Sequence, residues 1–184
     1  MAKEFVSLKI FKSILFLAIL ASIFYLVSLE WKKRNTPLPT EMNPIVAENR
    51  DLLIQKASEK GINIVITDDF RSAAEQDRLY EQGRSREGTI VTHVEGGESY
   101  HNYGLAIDFA LKLDDGSVVW NLERDDNGNG QSDWMEVVGI AKDLGFEWGG
   151  DWAGFKDYPH LEMNFGLSIR ELQYGERPPS NIRN

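Results

Sequence analysis

Two short segments carry the residues of this chain best suited to grip a metal ion. They are Ser99-Tyr100-His101-Asn102-Tyr103-Gly104-Leu105-Ala106-Ile107-Asp108 and Asp157-Tyr158-Pro159-His160-Leu161-Glu162. The sequence has 3 histidines, and two of them lie here. Two imidazoles and one carboxylate can bind Zn²⁺ and leave a fourth position for water, the arrangement of a hydrolytic rather than a structural zinc site. The competing reading is an ordinary Asp near a His on a solvated surface, and spacing alone leaves both open. His93, outside both segments, reads as a loop or strand residue and a reserve ligand.

Elements must bring these residues together. Leu105, Ile107, Phe109 and Leu111 alternate with Ala106, Asp108 and Ala110, the period of a β-strand. The large apolar residues then face the core, and Asp108 projects from the opposite face between small alanines. A straight strand would set His101 and Asp108 on opposite faces, so the site requires a bend, which Gly104 permits. In the second segment His160 and Glu162 share one strand face, Leu161 and Met163 share the other, and Pro159 fixes the entry.

The remaining pattern predicts a small single α+β domain with an antiparallel sheet flanked by helices. Asn43-Pro44 opens a helix running toward Lys60, with Gly61 as its stop. Residues 62–67 are β-branched and alternating, hence a strand. Ser72-x-x-Glu75 is a capping box for a helix ending near Gly83. Asp114-Asp115-Gly116-Ser117 is a hairpin turn into Val118-Val119-Trp120. Tyr100, Tyr103, Trp148 and Trp152 are expected to wall the cleft, with core or rim packing as the alternative for the two tryptophans.

Between the two segments lies a second metal pattern, Asp125-Asp126-Asn127-Gly128-Asn129-Gly130-Gln131-Ser132-Asp133-Trp134-Met135-Glu136. It fits the twelve-residue calcium loop, with oxygen ligands at Asp125, Asn127, Asn129, Asp133 and Glu136, the Gln131 carbonyl in seventh place and Gly130 at the sharp turn. Glu136 falls in the first turns of a helix running to Leu144. Two Asn ligands lower the loop's charge and point to weak Ca²⁺ affinity, and the ion is expected to order the segment beside the active site. A polar loop that merely solvates a connection is the alternative.

Residues 14–29 are almost wholly apolar, with Lys9 and Lys12 before them and Lys32, Lys33 and Arg34 after. This reads as an N-terminal membrane anchor, with a cleaved signal peptide as competitor. No small-x-small cleavage pattern closes the apolar run, and the chain has no cysteine for acylation or disulfides. The expected organisation is an anchor or signal over 1–31, a Pro-containing charged linker over 32–42, one compact domain over 43–166, and a polar tail over 167–184 holding a short helix from Ser168 to Tyr174. A formal charge of −9 without a basic patch argues against nucleic acid as partner. A monomer is expected.

Ser99-x-His101-x-x-x-x-x-x-Asp108, with Gly104 and Ala106 between and Asp157-x-x-His160 downstream, resembles the zinc D-Ala-D-Ala carboxypeptidase family. That family includes VanY-type enzymes and the peptidoglycan L-alanyl-D-glutamate endopeptidases, and this chain is most like the CwlK type. Ile66-Thr67-Asp68-Asp69-Phe70-Arg71-Ser72 and Gly145-Phe146-Glu147-Trp148-Gly149-Gly150-Asp151-Trp152 extend the likeness over residues 43–164. The resemblance implies the Hedgehog/D-Ala-D-Ala-peptidase-like fold and Zn²⁺ held by His101, Asp108 and His160. It also implies Asp157 as general base, where many relatives carry Glu, and Arg71 over the substrate carbonyl. Glu162 is the runner-up base or, with Ser99, a residue just outside the ligands that orients them. The implied substrate is the peptidoglycan stem peptide, cut at L-Ala–D-Glu or trimmed of terminal D-Ala, with the domain outside the cell, either anchored or secreted. A non-catalytic zinc module that binds wall is the third possibility.

Overall fold

The computed structural model describes residues 2–181. Helix α1 (Ala2–Arg34) contains an 18-residue window, Ile14–Trp31, with a mean hydropathy of 2.1, long and apolar enough to cross a membrane. It belongs to one compact unit; the remaining elements belong to a second, which runs from Leu38 to Gln173 and resumes at Arg177.

In this second unit Asn43 caps α2 (Pro44–Glu59), its side-chain oxygen accepting from Ile45 N–H, with proline at the first helical position. Gly61, at φ 78°, follows the cap at Lys60. Strand β1 spans Ile64–Asp68, starting two residues later than the alternation alone suggests. Helix α3 (Ala73–Glu81) opens on the Ser72–Glu75 capping box, both of whose hydrogen bonds form. A 3₁₀ turn over Tyr100–Tyr103 leads into β2 (Ala106–Lys112). The hairpin then returns as the two-residue β3 (Val118–Val119), and Trp120 lies outside it, exposed. Helix α4 (Asp133–Asp143), β4 (Glu147–Trp148), a 3₁₀ turn (Gly149–Asp151), β5 (His160–Glu162) and α5 (Ile169–Gln173) complete the unit.

The sheet is antiparallel with strand order β1-β2-β5-β4, and β3 pairs with β2 off this path. Side-chain alternation gives β2 two unlike faces. Ile107, Phe109 and Leu111 enter the core, where Val46 and Leu53 of α2 and Trp134, Val137 and Val138 of α4 meet them. The Phe109 and Trp134 rings lie 4.4 Å apart. Each such buried side chain contributes roughly 1.5–3 kcal/mol. Asp108 rises from the other face, between Ala106 and Ala110. The C-terminal stretch also contributes to the core: Leu172 of α5 is 1% exposed, and Leu167 and Ile169 pack beside it.

Register departs from regular pairing at one place. Ile66 faces Phe109, but Asp68 faces Asp108, so β1 carries one extra residue. Bulges of this kind re-aim side chains. Here it sets Asp68 directly across from Asp108, a pairing that no periodicity announces.

Candidate active site

Three elements converge at the bend before β2. The 3₁₀ turn supplies His101. Ser99 caps that turn, its Oγ accepting from His101 N–H at 3.3 Å, while the Asn102 side chain closes the reciprocal bond. Gly104 then reverses the chain at φ 65°. A Cβ there would meet Glu41 O and Met42 Cα, each at 2.6 Å. Gly104→Ala is therefore expected to lower unfolding stability by about 2–4 kcal/mol, read as a fall in the urea midpoint, because strain and backbone overlap add.

His101, Asp108 and His160 each offer one ligand atom, all within 4.8 Å of one another. His101 Nε2 stands 3.4 Å from Asp108 Oδ1, and His160 Nδ1 stands 3.3 Å from the same oxygen. Ligand atoms about 2.0–2.1 Å from a tetrahedral zinc ion are about 3.3–3.4 Å apart. The donor set and its separations thus suit such an ion.

The outer ring nitrogens decide which inner ones are free to bind. His101 Nδ1 lies 2.7 Å from the Asp69 carbonyl oxygen, which can only accept, so Nδ1 carries a proton and Nε2 is the ring nitrogen that a metal at the centre would meet. His160 Nε2 lies 3.0 Å from Glu162 Oε2, which leaves Nδ1 for the centre. Both imidazoles and Glu162 are buried. Glu162 is therefore placed to orient His160. Ser99 does the same for His101 through the backbone. Trp152 closes one side, its ring 5.2 Å from that of His160.

The charges of these residues act on one another. Burial alone would raise the Asp108 carboxyl, but hydrogen bonds from His101 and His160 hold it well below its ordinary value. Burial would lower the His160 imidazole, but Asp108 and Glu162 push it up to about 9. Asp157 is raised, first by burial and then by the negative charge of Asp108. Its segment is tied in by Asp157 N–H to Gly149 O at 3.2 Å and His160 N–H to Asp157 O at 3.3 Å.

Arg71 sits beside this centre with both ends of its guanidinium occupied. Nη2 pairs with Asp68, and Nη1 donates to Gln76 Oε1 at 2.7 Å. Gln76 is fully buried and is itself held by Thr92 Oγ1 and Val94 O. A cavity of about 550 Å³ opens at Arg71, lined also by Asp68, Phe70, Arg78, Leu79 and Arg86.

Several expectations come out differently. Tyr103 and Trp148 are core residues, their polar tips bound to Gly97 O at 3.0 Å and Tyr158 O at 2.7 Å, so they do not wall the cleft. Tyr100 is tied to Leu167 O at 2.8 Å. His93 is exposed near Phe155 and is not among the clustered ligands. The Asp125–Glu136 loop does not lie beside the triad. Asn127 reaches Lys60 O at 3.3 Å, and Glu136 pairs with Lys60 Nζ at 3.0 Å, at the far end of α2.

Comparison with known proteins follows the same line. A family model described as D-alanyl-D-alanine carboxypeptidase matches residues 92–163. The chain is 57% identical over 159 residues to the peptidoglycan L-alanyl-D-glutamate endopeptidase CwlK of Bacillus subtilis (strain 168), covering 84% of this chain and 95% of that protein. It is 35% identical over 113 residues to the L-alanyl-D-glutamate peptidase of Listeria phage A118, which is 61% of this chain and 34% of the phage protein's length. The crystal structure of DacB from Streptococcus pneumoniae D39 aligns with a TM-score of 0.49 at 21% identity, covering 76% of this chain and 80% of that one.

Proposed function

Because this chain belongs to the D-alanyl-D-alanine carboxypeptidase family, we propose that it is a zinc-dependent peptidase of the peptidoglycan stem peptide that cuts the L-Ala–D-Glu bond. The observation that carries this reading is the pair of 3.3 and 3.4 Å separations around one Asp108 oxygen, which suit a tetrahedral ion bound by two imidazoles and a carboxylate.

In this mechanism His101, Asp108 and His160 hold the ion, while Asp69 O and Glu162 keep the two rings in their binding tautomers. Zinc bound there supplies Lewis-acid polarisation and a water of near-neutral pKa. Asp157 takes the proton of the attacking water and passes it to the leaving amine nitrogen. Arg71, locked by Asp68 and Gln76, presents a fixed positive charge to the oxyanion that forms on the scissile carbonyl. Trp152 keeps water from one side of the His160 ring.

The endopeptidase reading is favoured over trimming of terminal D-Ala by the 57% identity to the L-alanyl-D-glutamate endopeptidase CwlK, which extends over 95% of that protein. A non-catalytic wall-binding module would have no use for the Asp157 and Arg71 arrangement. Action on the wall puts the domain outside the cell, with α1 as membrane anchor or, if cleaved, as secretion signal.

Mass spectrometry of purified muropeptides after digestion tests the bond. The expected result is a new D-Glu amino terminus with terminal D-Ala retained. Loss of terminal D-Ala alone would establish the carboxypeptidase instead, and an unchanged spectrum with zinc-loaded protein would leave only the binding module.

A further inference from the structure

We propose that Asp125–Glu136 is a calcium site that ties the C-terminus of α2 to the N-terminus of α4, separate from the hydrolytic centre. Oxygen-bearing side chains at alternate positions of this loop converge on one carboxylate. Asn127 Nδ2 and Asn129 Nδ2 lie 2.9 and 2.7 Å from Glu136 Oε2. Rotating either amide by half a turn exchanges its nitrogen for its oxygen at that spot. The Asp125 carboxylate closes the loop from the other side, accepting Asn129 N–H at 3.0 Å and Gly130 N–H at 2.9 Å. Gly128 and Gly130, at φ 72° and 83°, turn the backbone where a side chain would be strained.

An independent observation concerns Asp133. It is 2% exposed, yet its Oδ1 has no hydrogen-bond partner. Its other oxygen accepts Asp126 N–H at 2.8 Å, which turns the carboxylate toward the second residue of the loop. A buried carboxylate oxygen without a donor carries a large desolvation cost. A cation held by the loop removes that cost. Glu136 is also nearly buried, its side chain 7% exposed, but its oxygens are met by Lys60 Nζ at 3.0 Å and by the two asparagine amides.

The chemistry selects calcium among common ions. Asp125, Asn127, Asn129, the Gln131 carbonyl, Asp133 and a bidentate Glu136 make an all-oxygen set of the size Ca²⁺ accepts. Mg²⁺ demands a tighter octahedron and sheds its water reluctantly. Three carboxylates offset by Lys60 and two neutral amides place the affinity at about 10⁻⁴–10⁻³ M, the extracellular range. Binding would brace the helix layer under the sheet, since α4 starts at Asp133 and buries Trp134, Val137 and Val138.

Full chain in neutral detergent, freed of divalent ions and reloaded with zinc, is titrated with Tb³⁺ and then Ca²⁺. Trp134, inside the loop, is the expected sensitiser of terbium emission. Saturable emission that Ca²⁺ displaces is expected, with a rise in Tm of about 3–6 °C at a tenfold excess of calcium over Kd and little response to Mg²⁺. Glu136→Gln should weaken calcium at least tenfold, and His160→Ala should leave it unchanged. A flat Tm at about 10 mM calcium, well above the expected range, overturns the proposal. So does a response that survives Glu136→Gln or vanishes in His160→Ala, since either would put the ion elsewhere. None of these outcomes bears on which wall bond is cut.

Discussion

An alanine at position 160 should leave the purified protein almost free of zinc and without activity on muropeptides. His160 Nδ1 is one of two imidazole atoms converging on Asp108 Oδ1, at 3.3 Å. Its loss leaves one imidazole and one carboxylate, and two protein ligands hold zinc far more weakly than three. Changing a group one step further out typically weakens metal binding about 10–100-fold. Removing the ligand itself is expected to exceed the upper figure. Metal content by mass spectrometry after zinc loading and gel filtration reads this directly. His93→Ala is the matched control, because His93 is exposed and is not among the clustered ligands. Stoichiometric zinc in the His160 variant would remove it from the ligand set. Folding must be checked alongside, since the buried Glu162 would lose the His160 ring beside its Oε2 and keep only Asn164 Nδ2 at Oε1.

Asp157→Ala is expected to separate binding from chemistry. Metal content should stay near that of the unchanged protein, while kcat on muropeptides falls about 10²–10⁴-fold, the usual contribution of a positioned general base. Asp157 lies outside the clustered ligand atoms, yet it feels the charges of Asp108, His101, His160 and Arg71. The Asp157 backbone packs tightly against the 3₁₀ turn that carries Gly149. Gly149 allows that: a Cβ on it would meet Asp157 O at 2.4 Å and His160 Cβ at 3.1 Å. Retained zinc with undiminished turnover in this variant would pass the base role to another group, Glu162 being the nearest by strand face.

Much of this arrangement is legible in the residues themselves. The Leu105–Leu111 alternation, the Asn43-Pro44 start and the Ser72–Glu75 box are local patterns with local causes, and local hydrogen bonds or burial produce what they announce. The groups that orient the site are not legible in the same way. His101 is fixed by a backbone carbonyl, which every residue possesses, so nothing in the spacing marks Asp69 O. Arg71 is held by Asp68, which faces Asp108 only because of the bulge, and by Gln76, a polar residue buried on a helix. The aromatic residues divide for a similar reason. Tyr103 and Trp148 find backbone acceptors inside the core, and composition cannot tell such a partner from solvent. Leu172 packs under the sheet although the polar residues around it read as tail.

One strand carries both the interior and the reagent. Ile107 and Phe109 are wedged among the helices while Asp108, between them, supplies the oxygen shared by two histidines. Any loosening beneath therefore travels a single residue before it reaches the chemistry. Durability and catalytic power are mechanically one property in this protein, so heat should extinguish turnover along the same curve on which it melts the fold.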